Sequence, residues 1–390
     1  MFSNLVPVVL LLAGQPTGPD LRRPRELVVD DDGAQCPGAA YASLQAAVDA
    51  ARPGDRITVC PGTYREQVRI AKPLQVVARS GAVLAPAGMA ANTTNAFSGA
   101  AIAAALLVED AAPVVVEGLT VDASANGLAA CSPVLVGVFY RNASGRLSEL
   151  AVRGAHLGAT TLSGCQSGLG ILVQSAAGAF SVVEVLDSSV RGYQKNGVTA
   201  NEAGTELVAR RNVVAGAGLA AGVAQNGIQV GQGAHGVVEH NEVLSHVYPG
   251  CTSVANCPAV ATDVLLIEVT DVTVRANTLG TSQTGVYLAS TGRSRVMDNH
   301  VLDTVVFDGI LVVGDRNQIV GNAVTHADDA GIFLIGSDNV VFANRIQDTP
   351  VGVWKFDGST GNLIGGNRFR NVETPVLDPA GAAPHAAAFR

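Results

Sequence analysis

The chain has 390 residues, 44 of them glycine, with 48% hydrophobic and 15% charged residues and a formal net charge of −8. That charge excludes an ordinary nucleic-acid binder, which carries a basic stripe. No long stretch has the apolar period of a helix. Runs of Val, Ile and Leu punctuated by Gly call instead for many short strands joined by tight turns.

Residues 1–20, "MFSNLVPVVLLLAGQPTGPD", hold an apolar run over residues 5–13. It is too short to span a bilayer and reads as the core of a signal peptide; an N-terminal strand is the alternative. Export to a secreted or extracytoplasmic location follows, with no membrane span. Six cysteines fall as neighbouring couples, Cys36 with Cys60, Cys131 with Cys165 and Cys251 with Cys257. Pairing along those couples suits an oxidising compartment, although spacing alone does not fix connectivity. No Cys-x-x-Cys or His cluster is present, so no zinc site is expected.

Residues 43–51 predict a short amphipathic helix, with Leu44, Ala47, Val48 and Ala51 on one face and Pro53-Gly54 ending it. Beyond it the chain repeats. Alternating apolar stretches begin at residues 136, 169, 196, 226, 263, 284, 308, 330 and 351, the last four intervals being 21, 24, 22 and 21 residues. In phase with them runs a series of Asn residues: Asn212, Asn241, Asn277, Asn299, Asn322, Asn344 and Asn367. A period near 22 without a helix marks a solenoid whose coil holds about three short strands. Successive coils repeat direction, so the strands are parallel and the crossovers right-handed. The expectation is a single-domain, all-β, right-handed parallel β-helix over residues 27–372 with an N-terminal capping helix, followed by a C-terminal tail, residues 373–390.

The segment "YASLQAAVDAARPGDRITVCPGTYREQVRIAKPLQVVA" resembles the amino-terminal unit of right-handed β-helix repeat proteins of the pectate-lyase-like superfamily, and the likeness extends over residues 30–371. It implies the fold, with a helix covering the open end of the coil. It implies little about activity, since the superfamily holds lyases, hydrolases, esterases and epimerases. The polygalacturonase, pectin methylesterase and mannuronan epimerase signatures are not reproduced, and no phosphate-binding loop occurs.

Strand alternation places Thr199, Gln229, Leu265, Tyr287, Leu311, Phe333 and Trp354 in one outward line. The line turns from polar to aromatic along the solenoid. Tyr287, Phe333 and Trp354 therefore read as a platform for sugar rings, as a surface covered by the tail, or as a homo-oligomer contact near Trp354. In this register Lys355 points inward, which suggests an open or shifted last coil.

Two clusters carry candidate chemistry. Tyr193, Gln194 and Lys195 precede one strand, and Gln225, Asn226 and Gln229 belong to the next rung, with His246 and Tyr248 as extensions. Lys195 suits a uronate carboxylate or, with a depressed pKa, general base work, with Tyr193 beside it; the amides suit sugar hydroxyls. The alternative is that Asn-Gly only builds the turn and that Lys195 pairs with Glu202. Farther along, Thr281, Asp303, His326, Asp348 and Asn371 recur once per coil, with Asp308, Asp328 and Asp329 nearby. Asp308, Asp328 and His326 are candidates for glycoside hydrolysis, and the carboxylates could instead hold Ca2+; otherwise they are turn residues. No other cofactor is expected. The reading is a secreted carbohydrate-active protein that binds and cleaves an extracellular polysaccharide, as lyase or hydrolase. The alternative is a non-catalytic glycan-binding or cell-surface β-helix.

Overall fold

The computed structural model describes residues 23–158, 164–219, 222–251, 256–257 and 259–378. The expected signal peptide and the tail beyond residue 378 lie outside the described residues. Short strands stack rung upon rung into three parallel faces. One is a 13-stranded sheet running from Glu26–Val29 through Ser181–Leu186 to Leu363–Gly365. The other two faces form a continuous 23-stranded set. One passes through Ser189–Arg191 and Val213–Leu219, the other through Leu169–Gln174, Asn196–Asn201 and Asn226–Gly231. Thr93–Thr94, antiparallel to Ala101–Glu109, is the exception to parallel pairing among the described strands.

The period-2 pattern makes the core. Val173, Ala200, Val230, Leu266, Leu288, Val312 and Leu334 are register partners in seven successive rungs, and all are fully buried. Lys355 is next in this inward line, at the end of the solenoid, where its ammonium pairs with Asp378 at 2.8 Å. The last strand, Arg368–Leu377, pairs with Arg345–Lys355, so the sheet runs five residues past the expected boundary at 372.

The glycine of each strand start is set by space. A Cβ at Gly197 would lie 2.5 Å from Val214 Cγ1, and one at Gly227 would lie 2.2 Å from Val243 Cγ1, because side chains from the facing sheet fill the lumen there. In this column Gly227 is followed by Asp263 and then Gly285.

The Asn series forms a buried ladder. The Asn277 backbone N–H and side-chain amide both donate to Asn299 Oδ1, at 3.0 and 2.9 Å, and the Asn277 amide also donates to the Val238 carbonyl. The pattern repeats from Asn212 to Asn367. Each side chain thus satisfies backbone groups that the corner leaves unpaired. A second ladder, which the sequence reading missed, links Ser294, Asn317, Asn339 and Asn362.

The N-terminal helix α1, Leu44–Ala50, buries Leu44, Ala47 and Val48 over the first coil. Ser43 caps it, and Glu66 accepts from Ser43 Oγ, Leu44 N and Gln45 N at 2.7, 2.7 and 3.1 Å. Glu66→Ala strands those donors at the helix start and is expected to lower unfolding stability by about 1–2 kcal/mol in urea titration. No helix among the described residues is long and apolar enough to cross a membrane. Disulfides join Cys36–Cys60, Cys131–Cys165 and Cys251–Cys257, the three neighbouring couples, which is consistent with an extracytoplasmic location.

Candidate functional site

The outward line of the sequence reading holds in register. Leu172, Thr199, Gln229, Leu265, Tyr287, Leu311, Phe333 and Trp354 are partners rung by rung. Over the first three of these rungs the outer face is hollowed into a cleft of about 340 Å³. Its floor is built by Leu169, Leu172, Gln174, Asn196, Thr199, Asn201 and Gln229. Its walls come from the 95–100 loop, Gln166, Gln232 and Lys195.

The floor amides are wired to one another. Asn196 Nδ2 donates to Gln229 Oε1 at 2.8 Å and to Thr199 Oγ1 at 3.0 Å. Asn226 donates to Asn196 Oδ1, and Gln229 donates to Asn201 Oδ1. Such a network fixes the direction in which each remaining donor and acceptor points.

Lys195 is the charged residue of the lining, and no carboxylate stands among the lining residues. Its Nζ donates to the Ala224 carbonyl at 2.7 Å. The expected alternative partner, Glu202, is instead reached by Gln174 Nε2. Burial pulls the Lys195 ammonium down to a pKa of about 8. An ammonium mostly removed from water and without a counter-carboxylate among the described residues is an anion site by charge.

Apart from Lys195 and Gln229, the first cluster is not at this cleft. Gln194 accepts from Leu157 N, and Gln225 is buried, donating to the Tyr193 and Gln194 carbonyls and accepting from Ala217 N. Both tie the turn to adjoining chain. Asn226 is buried behind Asn196. Tyr193 was expected beside Lys195 at the cleft edge. It points into the lumen instead: strict alternation would keep residues 193 and 195 on one side, but the chain bends at Gly192, Gln194 and Lys195 before the strand begins at Asn196.

There Tyr193 belongs to a buried polar network that the sequence reading did not assemble. Its Oη lies 2.5 Å from His246 Nε2, and His246 Nδ1 lies 2.7 Å from Asp263 Oδ1. Ser282 Oγ also donates to Asp263 Oδ1, at 2.5 Å. All four side chains are essentially inaccessible, and Asp263 Oδ2 is left without a partner. Burial raises Asp263 to a pKa of about 6 against the lowering effect of His246, and burial together with the Asp263 charge holds the Tyr193 phenol well above its usual range. The sequence signal was the missing glycine at position 263. Tyr248, another suggested extension, donates its backbone N–H to Gln283 Oε1 and does not line the cleft.

The acidic candidates are scattered, and none lines the Lys195 cleft. Asp308 is buried and accepts from Ala330 N; burial and the charge of Asp329 hold its carboxyl well above the usual range. Asp328 accepts from Val306 N at 2.8 Å, tying its coil to the preceding one. His326 Nδ1 meets Asp303 Oδ1 at 3.0 Å in the open, and that carboxylate raises the His326 pKa. Thr281, Asp303, His326, Asp348 and Asn371 all have φ between 49° and 59°, so they turn a left-handed corner in each coil.

The aromatic platform is also corrected. Phe333 is 3% exposed and Leu311 is fully buried. The Phe333 ring packs on Trp354 and Phe356 at centroid distances of 5.2 and 6.3 Å, and burial raises the Tyr287 phenol. Leu311 and Phe333 are thus covered by their neighbours, while Tyr287 and Trp354 stay half-buried.

A family model described as periplasmic copper-binding protein (NosD) matches residues 253–381, about a third of the chain. The grouping of possible metal ligands found among the described residues is Asp30, Asp31 and Asp32, outside that segment. No curated protein matches in sequence. Solved structures with a similar fold include GH136 lacto-N-biosidase from Eubacterium ramulus, with a TM-score of 0.66 and 14% identity over 89% of this chain and 68% of that one. The A-module of the mannuronan C-5 epimerase AlgE4 from Azotobacter vinelandii gives 0.51 and 14% over 86% and 92%. DFA-IIIase from Arthrobacter chlorophenolicus A6 gives 0.50 and 15% over 91% and 89%. In fold, the chain is a right-handed parallel β-helix, the architecture it shares with these structures.

Proposed function

We propose that this protein is an extracytoplasmic carbohydrate-binding β-helix whose cleft takes an acidic oligosaccharide. The observation that carries the reading is Lys195, a mostly buried ammonium with no carboxylate beside it in a cleft otherwise lined by amides, the hydroxyls of Ser98 and Thr199, and apolar residues. The lysine matches a uronate carboxylate, and the accessible amides of Gln166, Asn201, Gln229 and Gln232 match hydroxyls. The carbohydrate-active proteins among the structures of similar fold agree with this reading.

The Lys195 pKa of about 8 favours a second reading, cleavage by β-elimination. Neutral Lys195 would take the proton at C5, α to the carboxylate. The electron pair forms the C4–C5 double bond, the C4–O bond breaks, and the leaving oxygen takes a proton from water. Hydrolysis by a carboxylate pair gains no support from this cleft.

A panel of uronate oligosaccharides, with and without Ca2+, tests both readings by calorimetric titration, by absorbance of unsaturated uronate and by assay of new reducing ends. Binding without turnover supports the first reading, and unsaturated product supports the second. Lys195→Gln is expected to weaken binding at neutral pH by at least about tenfold, the scale of a lost charge-assisted contact. Wild-type affinity should hold below pH 8 and fall as pH rises through it, because the ammonium is the binding form. Equal binding by Lys195→Gln and wild type would remove the lysine from recognition.

A further inference from the structure

We infer that Phe97, at the tip of the loop walling the cleft, is the platform on which a sugar ring of the bound oligosaccharide stacks. This rests on the reading of the cleft as an acidic-oligosaccharide site. Phe97 is 78% exposed, and its neighbours Asn95, Ser98 and Ala100 all line the cleft. Phe180 is as exposed, at 74%, but stands beside no lining residue.

The loop is built to hold Phe97 in place. Asn95 Oδ1 accepts from Phe97 N at 3.0 Å and Ser98 N at 2.8 Å, and Asn95 N donates to the Ala100 carbonyl. Two distant rungs clamp the loop to the sheet. Ala96 N donates to Gln174 Oε1 at 2.9 Å, and Arg141 Nε donates to the Thr94 carbonyl at 2.9 Å. Gln174 is itself a buried residue of the cleft floor. The backbone beneath the exposed phenyl ring is therefore fixed from within the cleft. A tight tip normally takes Gly, Asn or Ser. A pre-positioned aromatic ring contributes contact area at little entropic cost. Of the aromatics named from the sequence, Phe333 is buried, and Tyr287 and Trp354 are half-buried on rungs beyond the cleft. The chemistry required of the ligand is two-part: a carboxylate for Lys195 and a second ring with an apolar face for Phe97.

Calorimetric titration with galacturonate and mannuronate trimers, the corresponding monomers and a neutral trisaccharide tests this in the full chain. Phe97→Ala is expected to weaken trimer binding about tenfold, the scale of re-exposing a covered phenyl ring. It should leave monomer binding and the thermal midpoint unchanged, because Phe97 packs into no core. Phe97→Trp is expected to keep trimer affinity and to change indole emission on trimer addition. If Phe97→Ala binds the trimer as wild type does while Lys195→Gln does not, the platform is refuted and the cleft reading stands. If wild type binds no acidic sugar in the panel, the cleft reading is overturned and this inference with it.

Discussion

Asn299→Ala is expected to lower stability by about 3–5 kcal/mol, at the upper end for a single substitution. The side chain makes four buried bonds at once. Its Oδ1 accepts from the Asn277 backbone and amide at 3.0 and 2.9 Å, and its Nδ2 donates to the Val274 carbonyl and Asn322 Oδ1, both at 3.0 Å. Alanine leaves the Asn277 donors and the Val274 carbonyl in a lumen that water does not reach, and each stranded group costs about 1–3 kcal/mol. Urea titration with hydrogen exchange on the neighbouring rungs measures this, since a solenoid can lose rungs locally. Asn371→Ala serves as the contrast. Its amide meets Asp348 Oδ1 at 2.7 Å in the open, so removal should cost only about 1 kcal/mol, most of it from placing Ala at a left-handed corner. Similar costs for both substitutions would show that the ladder is not the element holding the coils in register.

The lumen network should give the protein an unusual dependence on pH. Asp263 has its pKa raised from 3.8 to about 6 by burial. Between those values the native state binds the proton and the unfolded chain does not. The contribution is therefore fully present below about pH 4 and is lost as pH rises through 6. Two pKa units correspond to about 3 kcal/mol. Other carboxylates act oppositely at lower pH. The Asp55, Glu109 and Glu239 carboxyls, held by arginines, are lowered against the raising effect of burial, so their support fades in acid. The difference between wild type and Asp263→Asn isolates the effect. Across pH 4–7 the wild type should lose stability relative to the variant by about 2–3 kcal/mol as pH rises. A pH-independent difference would mean that Asp263 does not carry the buried charge.

The sequence by itself determined the architecture. A 22-residue period, alternating apolar residues and one Asn per coil admit one arrangement, because each of those features is local and repeats along the chain. Register followed from the same alternation, and it placed Thr199 and Gln229 on one outer line and left Lys355 inward at the last coil. The sequence also singled out Lys195 as foreign to the repeat. Only the tertiary structure decided what the side chains meet. Tyr193 and Lys195 are two residues apart, yet one enters the lumen and the other the cleft. His246, Asp263 and Ser282 come from different parts of the chain and join Tyr193 only after the rungs stack. The cleft exists because the 95–100 loop lies over rungs that begin some 70 residues later, and no periodic pattern encodes that crossing. Exposure was decided by packing as well: Phe333 occupies an outward position and is buried by the aromatic rungs beside it, whereas Phe97, in a segment without pattern, is left in water.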